Sequence, residues 1–371
     1  MYGLAGYSGQ EDVAAALGEA CADFLNKQPK LIVFFTESAR FAAFTKELAQ
    51  LFPEAQVLGA ASYVSFSPAG VSRYGIQVAA LFDLEVATGR LDELKTYPLK
   101  YKPVVEAALA SLAPFQPQPQ NTCCFTLTSA GTDSEELMLD TLKAAFGPSG
   151  IPVCGGSASS PAILRGEVSL NGVVYQESTV FALLCVGNGR LHIQQENIFE
   201  PLGRELTATK VDVEAHTIYE LDGHKAAEVL CKLLKVPKEK LGEALALHPF
   251  GRIAGDRLFV SEVKSVNPDG SITTYCRIFN QSPIAVLQMT DTKKALQETL
   301  SAIHRDLTRV DFSLMINCFR RSCLYAERGE LEDFARQLHC SLGSYLGLTS
   351  YGEQLDTYQL SLTMLIVSFG A

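Results

Sequence analysis

The chain has 371 residues, of which 47% are hydrophobic and 19% charged, so it is long enough for two globular domains and is not disordered. Its formal net charge of -10 and its lack of Lys/Arg runs exclude a basic surface for nucleic acid. No apolar stretch approaches the roughly 20 residues that cross a bilayer, and no secretion signal opens the chain. We expect a soluble, cytoplasmic protein with no nucleic-acid and no membrane partner.

The ten cysteines are scattered and form no C-x-x-C pair. Most lie inside apolar runs, which is typical of small buried side chains in a reducing compartment. The six histidines show no spacing typical of zinc ligands. The sequence therefore predicts no metal site.

The first predicted unit covers residues 31–82 and follows an amphipathic helix at residues 10–26. A buried strand at residues 31–36 leads into a helix that ends at Pro53. A second strand then runs into the segment Gly59-Ala-Ala-Ser62-Tyr63, predicted to be a turn, and an apolar strand at residues 75–82 closes the unit.

The second predicted unit covers residues 123–185. A helix at residues 102–112 and a Pro-rich connector at residues 114–120 precede it. The unit again has a strand, a helix at residues 135–146, a predicted turn at Gly155-Gly156-Ser157 and a closing strand. Asn171-Gly172 is the dipeptide preferred in a two-residue hairpin turn.

A different pattern separates this unit from the third one. Asp222 is predicted to cap a helix that continues to Leu234, and the segment 267–270 is predicted to turn a hairpin. A helix at residues 292–307 follows. We place a domain boundary near residue 200, which gives domains at 1–200 and 201–371.

The third predicted unit covers residues 312–367. Its apolar strand breaks into a charged loop, Phe319-Arg-Arg-Ser, and a helix at residues 331–342 follows. The segment from Gly347 to Glu353, predicted to be a turn, then leads to the last strand. Gly347-Leu-Thr-Ser350-Tyr351 repeats the Gly, Ser and Tyr spacing of the first unit. The fold class is therefore mixed α/β (α+β), with mixed sheets flanked by helices, internally duplicated strand-helix-strand-strand units and two domains.

Several motifs, taken in order along nearly the whole chain, resemble the FIST family of sensory proteins. Tyr219-Glu-Leu-Asp-Gly223 resembles the entry into the C-terminal FIST region, and His248-Pro-Phe-Gly-Arg252 is similar to an F-P-L-G loop. Cys318-Phe-Arg-Arg321 resembles a C-x-x-R motif, and Thr349-Ser-Tyr-Gly-Glu353 a terminal T-x-G-E turn. Where the family tends to have His-Asn in its last strand, this chain departs from the pattern with Tyr358-Gln-Leu-Ser.

The resemblance implies a cytoplasmic, non-catalytic sensor of a small molecule such as an amino acid. The two sensory regions use the whole sequence, so the expected output lies on a separate signalling protein such as a histidine kinase or a cyclic-nucleotide enzyme. No cofactor is predicted. A haem-based nitric-oxide sensor is the alternative within the family, because one axial histidine is enough to hold haem.

The candidate ligand-binding residues lie in the three Gly segments and in the C-x-x-R segment. Arg321 offers a planar fork for a carboxylate and Glu353 an acceptor for an ammonium group, which together suit a zwitterionic ligand bound between the two halves. The Gly segments offer backbone amides, although a tight turn with positive φ or close packing explains Gly155 and Gly156 equally well. The full set is Gly59, Ser62, Gly155, Gly156, Ser157, Cys318, Arg321, Thr349, Tyr351, Gly352 and Glu353.

Two other classes of function stay open. A cysteine-dependent enzyme would use Cys318, since the neighbouring Arg320 and Arg321 favour a thiolate. However, the chain has no G-x-S-x-G, H-E-x-x-H or phosphate-binding loop. A pure interaction scaffold would have no ligand site. The leading hypothesis is a non-enzymatic, ligand-binding sensor.

Overall fold

A computed structural model describes residues 2–158, 166–255 and 257–371. The described chain forms two compact units. Unit 1 contains the residues up to Gln195 together with Glu298–Tyr358 and Met364–Ala371, and unit 2 contains Glu196–Gln297 and Gln359–Thr363. The units divide the chain differently from the predicted domains 1–200 and 201–371, because most of the last 74 residues, from 298 to 371, return to unit 1. The predicted domains remain a proposal about sequence regions.

Two stretches of the chain, residues 2–82 and 83–185, contain the first two predicted units and supply these elements of unit 1. The first contains β1 Gly3–Ser8, α1 Val13–Ala20, β2 Leu31–Thr36, α2 Ser38–Leu51, β3 Gln56–Ala61, β4 Ser65–Ser67, β5 Gly70–Ser72 and β6 Ile76–Leu81. The second contains β7 Glu85–Asp92, α3 Lys102–Ser111, β8 Thr122–Ser129, α4 Glu135–Phe146, β9 Val153–Ala158, β10 Val168–Leu170, β11 Val173–Tyr175 and β12 Ser178–Cys185.

The remaining elements follow in chain order. They are β13 Arg190–Asn197, β14 Phe199–Pro201, β15 Leu206–Asp212, β16 Thr217–Leu221, β17 His224–Lys225, α5 Ala226–Leu234, α6 Leu241–Leu247, β18 Phe250–Ala254, β19 Arg257–Ser261, β20 Val263–Val266, β21 Ile272–Thr274 and β22 Ser282–Met289. The chain then forms α7 Thr292–Asp306, β23 Val310–Cys318, α8 Phe319–Glu327, α9 Leu331–Leu342, β24 Tyr345–Leu355, β25 Tyr358–Leu360 and β26 Thr363–Gly370. Short 3-10 turns lie at Pro98–Tyr101, Ala113–Phe115, Gly147–Ser149 and Lys238–Lys240.

The strand pairing confirms the predicted internal repeat. In each repeat the first strand pairs in parallel with the Gly-containing strand and antiparallel with the closing strand. The three resulting orders are β6-β2-β3, β12-β8-β9 and β26-β23-β24. The mixed α/β fold class is therefore confirmed, with three copies of one strand-helix-strand-strand unit.

Unit 1 is built from two packed sheets. The first has the order β1-β6-β2-β3-β10-β11, and the second has the order β13-β26-β23-β24-β9-β8-β12-β7. Alternate residues of β6 (Ile76, Val78 and Ala80) join the core under α1 and α2. On the opposite face, β1 and β6 pack against β24, and Gly3 lies against the Phe312 ring. A second core lies between the β7-β12-β8 region and helices α3 and α4.

The predicted Gly turns are wrong as secondary structure, since these glycines lie within strands β3, β9 and β24. The reason is close packing. A Cβ atom on Gly59 would lie 2.2 Å from the Phe34 ring, and one on Gly155 would lie 2.1 Å from the Thr126 carbonyl oxygen. The alternative explanation of tight packing therefore holds for these two glycines.

Two further local predictions are wrong. The segment that begins at Phe319 is helix α8 rather than a charged loop, and Cys318 occupies its N-cap position. Asp222 does not cap a helix: it has a φ of 51° in the turn between β16 and β17, and α5 begins at Ala226. The pair Asp222-Gly223 is a strong hairpin-turn signal, and the two residues form this turn instead of a helix cap.

Unit 2 has a sheet in the order β19-β18-β22-β15-β16-β21-β20, which shares one core with helices α5 and α6. The five-residue segment Gln359–Thr363 also belongs to it. The buried Arg252 side chain donates to the Gln359 carbonyl oxygen, and the Ser361 amide donates to the Val260 carbonyl oxygen at 3.0 Å. These two hydrogen bonds, each accepted by a backbone carbonyl oxygen, thus hold the segment Gln359–Thr363 in unit 2.

Among the described residues, no helix is both long and apolar enough to span a membrane.

Candidate functional site

The carboxyl ends of the first and third parallel strand pairs meet in unit 1. The Thr349 amide donates to Ser62 Oγ at 3.2 Å, and the Val64 amide donates to Thr349 Oγ1 at 3.1 Å. Ser62 Oγ in turn donates to the Val64 carbonyl oxygen at 2.6 Å. Ligands of α/β proteins commonly bind outside the carboxyl ends of parallel strands. Two of the predicted site residues are therefore direct neighbours in such a location.

The second repeat reaches the same strand from its other side, because β24 pairs with β9. Ser350 is in register with Ala158, whereas Glu353 is in register with Gly156, so β24 contains one extra residue at this point. Gly352 adopts a φ of 145°, which only glycine adopts readily. This β-bulge explains the glycine of the T-x-G-E motif.

The bulge determines which side chains face the interior. Glu353 is fully buried, and Ser350 Oγ donates to its Oε1 at 2.5 Å. Tyr351 is 42% exposed and lies at the surface. A β-bulge can redirect a side chain in this way because it shifts the alternation of the strand by one residue.

Arg321 is the charged residue of α8 that faces the core, and its side chain is 0% exposed. Its Nη2 donates to the Tyr325 hydroxyl at 3.2 Å, and its guanidinium carbon lies 5.3 Å and 5.7 Å from the ring centroids of Tyr325 and Phe334. Burial lowers the pKa of Arg321, while Tyr325 and the negative charge of Glu353 raise it. Arg321 and Glu353 thus interact electrostatically inside unit 1.

Asn317 is a site residue that the sequence did not indicate as functional. It is fully buried at the end of β23, in register with Thr349. Its Nδ2 donates to Ser322 Oγ at 2.8 Å, but its Oδ1 has no hydrogen-bond partner among the described residues. A buried acceptor without a partner is energetically costly and is suited to a donor from a ligand or a water molecule. The sequence feature that could have indicated Asn317 is an amide side chain within an otherwise apolar strand.

A second group of buried polar side chains involves Ser157. Gln354 Nε2 donates to Ser157 Oγ at 3.2 Å, and Thr126 Oγ1 donates to Gln354 Oε1 at 2.8 Å. Ser157 Oγ also donates to Glu135 Oε1 at 3.3 Å. Burial raises the pKa of the Glu135 carboxyl. This network links α4, β8, β9 and β24.

The remaining candidates differ in their surroundings. Gly59 lies mid-strand between Phe34 and Ser169, and Gly156 lies against Ile316 and Ser350. Cys318 is buried at the end of β23. We call Ser62, Asn317, Arg321, Thr349 and Glu353 the polar cluster. Its members come from the first and third repeats and contribute hydroxyl, amide, guanidinium and carboxylate groups.

The histidines of the described chain do not assemble a metal site: no group of three or more His, Cys, Asp or Glu side chains that could hold a metal occurs there. His248 Nδ1 lies 2.8 Å from the Leu287 carbonyl oxygen, and His339 Nδ1 lies 3.0 Å from that of Gly343. A haem-based sensor stays the alternative hypothesis.

The fold and the polar cluster define a repeat-built α/β protein with buried polar groups at the carboxyl ends of its parallel strands. The family model of the FIST N domain matches residues 30–224, and that of the FIST C domain matches residues 226–356. The chain belongs to the FIST family, whose domains are associated with signal transduction in response to small ligands. The predicted resemblance is therefore confirmed. A search of curated proteins gives no match.

Proposed function

We propose that this protein is a non-enzymatic sensor that binds a small zwitterionic metabolite, such as an amino acid, at the polar cluster. The observation that carries the proposal is the complete burial of both Arg321 and Glu353 in one unit, where they interact electrostatically. A guanidinium suits the carboxylate of such a ligand and a carboxylate suits its ammonium group. Asn317 Oδ1, which has no hydrogen-bond partner among the described residues, supplies a further position for an N–H donor.

Burial of these groups also suggests how binding produces a signal. Arg321 and Glu353 are both 0% exposed, so a ligand reaches them only when α8 or the β24 bulge moves. A ligand that binds the opened state better than the closed state shifts the population toward the opened state. We propose that a separate signalling protein, such as a histidine kinase or a cyclic-nucleotide enzyme, recognises this change.

A thermal-shift screen with the common amino acids and related zwitterions tests the binding proposal, since a ligand of the native state raises Tm. We expect at least one compound to raise Tm of the parent protein. Arg321→Ala removes the carboxylate fork and should abolish that shift, while Arg321→Lys should reduce it because Lys cannot bind in a bidentate manner. Arg320→Ala is the matched control, since Arg320 precedes it on α8 but is partly exposed and pairs with Glu327 at 3.5 Å.

Two outcomes would overturn the proposal. One is a screen in which no zwitterion raises Tm of the parent protein. The other is a ligand shift that is equal in the parent, Arg320→Ala and Arg321→Ala proteins. If Arg321→Ala fails to fold, Asn317→Asp provides a second variant, because it changes the charge beside the Asn317 acceptor position. The Asn317→Asp protein should differ from the parent protein in which zwitterions raise its Tm.

A further inference from the structure

A half-exposed group of aromatic rings lies at the surface of unit 1, next to the polar cluster in sequence. The Phe319 ring centroid lies 5.4 Å from that of Tyr63 and 5.0 Å from that of Tyr351, with interplanar angles of 59° and 63°. Tyr351 is 42% exposed, and Tyr63 and Phe319 are partly exposed. We call these three residues the aromatic platform.

The repeat produces this platform. Tyr63 follows Ser62 and Tyr351 follows Ser350, so the two tyrosines occupy equivalent positions after β3 and within β24. Phe319, the first residue of α8, lies within ring-contact distance of both. Burial raises the pKa of the Tyr351 hydroxyl, and the nearby Cys323 and Tyr63 raise it further. Three separate segments thus present adjacent rings that remain partly accessible to solvent.

The charge beside the platform is positive. The guanidinium carbon of Arg73 lies 5.6 Å from the Tyr63 ring centroid, and Arg73 is exposed. Among the described residues Arg73 makes no ion pair, whereas Arg320 pairs with Glu327 at 3.5 Å. Burial raises the pKa of the nearby Cys323 thiol, and the positive charges of Arg320 and Arg73 oppose this rise. Arg73 is therefore a cation available to a bound anion.

We propose that Tyr63, Phe319, Tyr351 and Arg73 form a binding site for a planar aromatic anion, separate from the zwitterion site of the polar cluster. Aromatic rings attract other rings in edge-to-face or offset geometry, and Arg adds both charge and a stacking plane. A mono- or bicyclic aromatic carboxylate matches this combination, because its ring covers the platform while its carboxylate reaches Arg73. This proposal does not depend on the identity of the sensed metabolite.

Binding of 2-naphthoate, measured by isothermal titration calorimetry, tests the proposal. We expect one molecule to bind per chain. Cyclohexanecarboxylate has the anion without the aromatic ring, and 2-naphthalenemethanol has the ring without the charge; each should bind roughly tenfold more weakly. Equal binding of the neutral naphthalene compound would show an unspecific apolar patch and would refute the role of Arg73.

Variants locate the bound probe. Tyr351→Ala and Phe319→Leu should each weaken 2-naphthoate binding by roughly three- to tenfold, and Arg73→Ala by a similar factor, with partial recovery in Arg73→Lys. The matched control is Tyr275→Ala, because Tyr275 is 53% exposed in unit 2 and has the Lys264 ammonium 5.9 Å from its ring centroid. Tyr275→Ala should bind like the parent protein.

The proposal fails if the parent protein does not bind 2-naphthoate. It also fails if Tyr351→Ala and Arg73→Ala, both changes of exposed side chains, leave the affinity unchanged. Arg321→Ala separates the two sites: it should remove the zwitterion shift while 2-naphthoate binding remains. Loss of naphthoate binding in a folded Arg321→Ala protein would show a single site and overturn the proposal of a second one.

Discussion

Thr349 and Ser62 are 287 positions apart in the chain, yet the Thr349 amide donates a hydrogen bond to Ser62 Oγ at 3.2 Å. Both side chains are buried. This bond joins the ends of strand pairs from the first and third repeats. It holds together the two segments that contain most of the polar cluster.

A double-mutant cycle with Ser62→Ala and Thr349→Val should show coupling, because the two hydroxyl oxygens lie 3.4 Å apart. Thr349→Val removes the Oγ1 that accepts from the Val64 amide and should lower the free energy of unfolding by about 1–3 kcal/mol, whereas Ser62→Ala should cost less because the Thr349 amide keeps its bond to the Val64 carbonyl oxygen at 2.9 Å. The double variant should lose less than the sum of the two, by about 0.5 kcal/mol or more. Urea unfolding measures all four proteins. The control Thr273→Val removes a partly buried hydroxyl that lies 3.1 Å from Thr217 Oγ1 and accepts from Asn267 Nδ2 at 3.0 Å, and it should cost less than Thr349→Val. Strict additivity of Ser62→Ala and Thr349→Val would contradict the coupling.

Alanine at the strand glycines should destabilise the protein in a defined order. At Gly155 a Cβ meets the Thr126 carbonyl oxygen at 2.1 Å, which only a backbone shift relieves. At Gly347 it meets Met315 Cε at 2.5 Å, the flexible end of a side chain. We expect Gly347→Ala to cost about 1–3 kcal/mol and Gly155→Ala more. Gly242→Ala, with nothing within 4 Å on helix α6, is the control and should be stabilising or neutral. Urea unfolding gives the order, and a harmless Gly155→Ala would contradict the packing explanation.

We expect the titration of the Glu135 carboxyl to make the free energy of unfolding depend on pH. Burial raises the pKa of this carboxyl in the folded state. The folded protein then binds the proton more tightly than the unfolded chain, whose Glu has a pKa of about 4.3. The free energy of unfolding therefore falls as the pH rises from that value through the raised folded pKa. Glu135→Gln lacks this decrease and should gain stability relative to the parent protein as the pH rises.

Urea unfolding of parent and Glu135→Gln at several pH values between about 4 and 8 measures the difference. Glu47→Gln, an exposed change on α2, controls for the loss of one carboxylate. An opposite slope, in which the parent protein gains stability over Glu135→Gln with rising pH, would show that Glu135 is stabilised as a carboxylate in the folded state.

Native cysteine alkylation should distinguish a sensor from a cysteine-dependent enzyme. Cys340 is exposed and should react with iodoacetamide first. Burial raises the pKa of Cys21 to about 12 and of Cys123 to about 12, so neither should react in the folded protein. Cys318 is buried and should also resist. Peptide mass spectrometry after a short exposure identifies the alkylated thiols. Alkylation of Cys318 as fast as Cys340 would restore the enzyme hypothesis.

The repeat was predictable from local pattern. The helices predicted at residues 135–146 and 331–342 are confirmed as α4 and α9, and one face of each helix is buried. The Asn171-Gly172 hairpin also agrees with prediction, since both residues adopt positive φ in a two-residue turn. In contrast, the start of α8 was missed, because its polar residues Arg320 and Arg321 resembled a loop.

The candidate site was predictable in part. Sequence motifs indicated Ser62, Arg321, Thr349 and Glu353 as candidate ligand-binding residues. Their spatial relation depends on the order of strands in the sheets, which local sequence patterns do not contain. Asn317 was missed for the same reason: it becomes notable only when its buried Oδ1 proves to have no partner in the described structure. The ligand-binding role of all these residues remains a proposal.

The sequence by itself determined the repeated unit and the family, because periodic burial and short motifs are local properties of a chain. Only the tertiary structure decided that β24 pairs with β9 and meets Ser62, that Gly59 and Gly155 are there for close packing, and that one bulge turns Glu353 inward and Tyr351 outward. The physical reason is that these features arise from the register and order of strands whose residues are far apart in sequence. Such long-range pairing depends on the packing of the whole core.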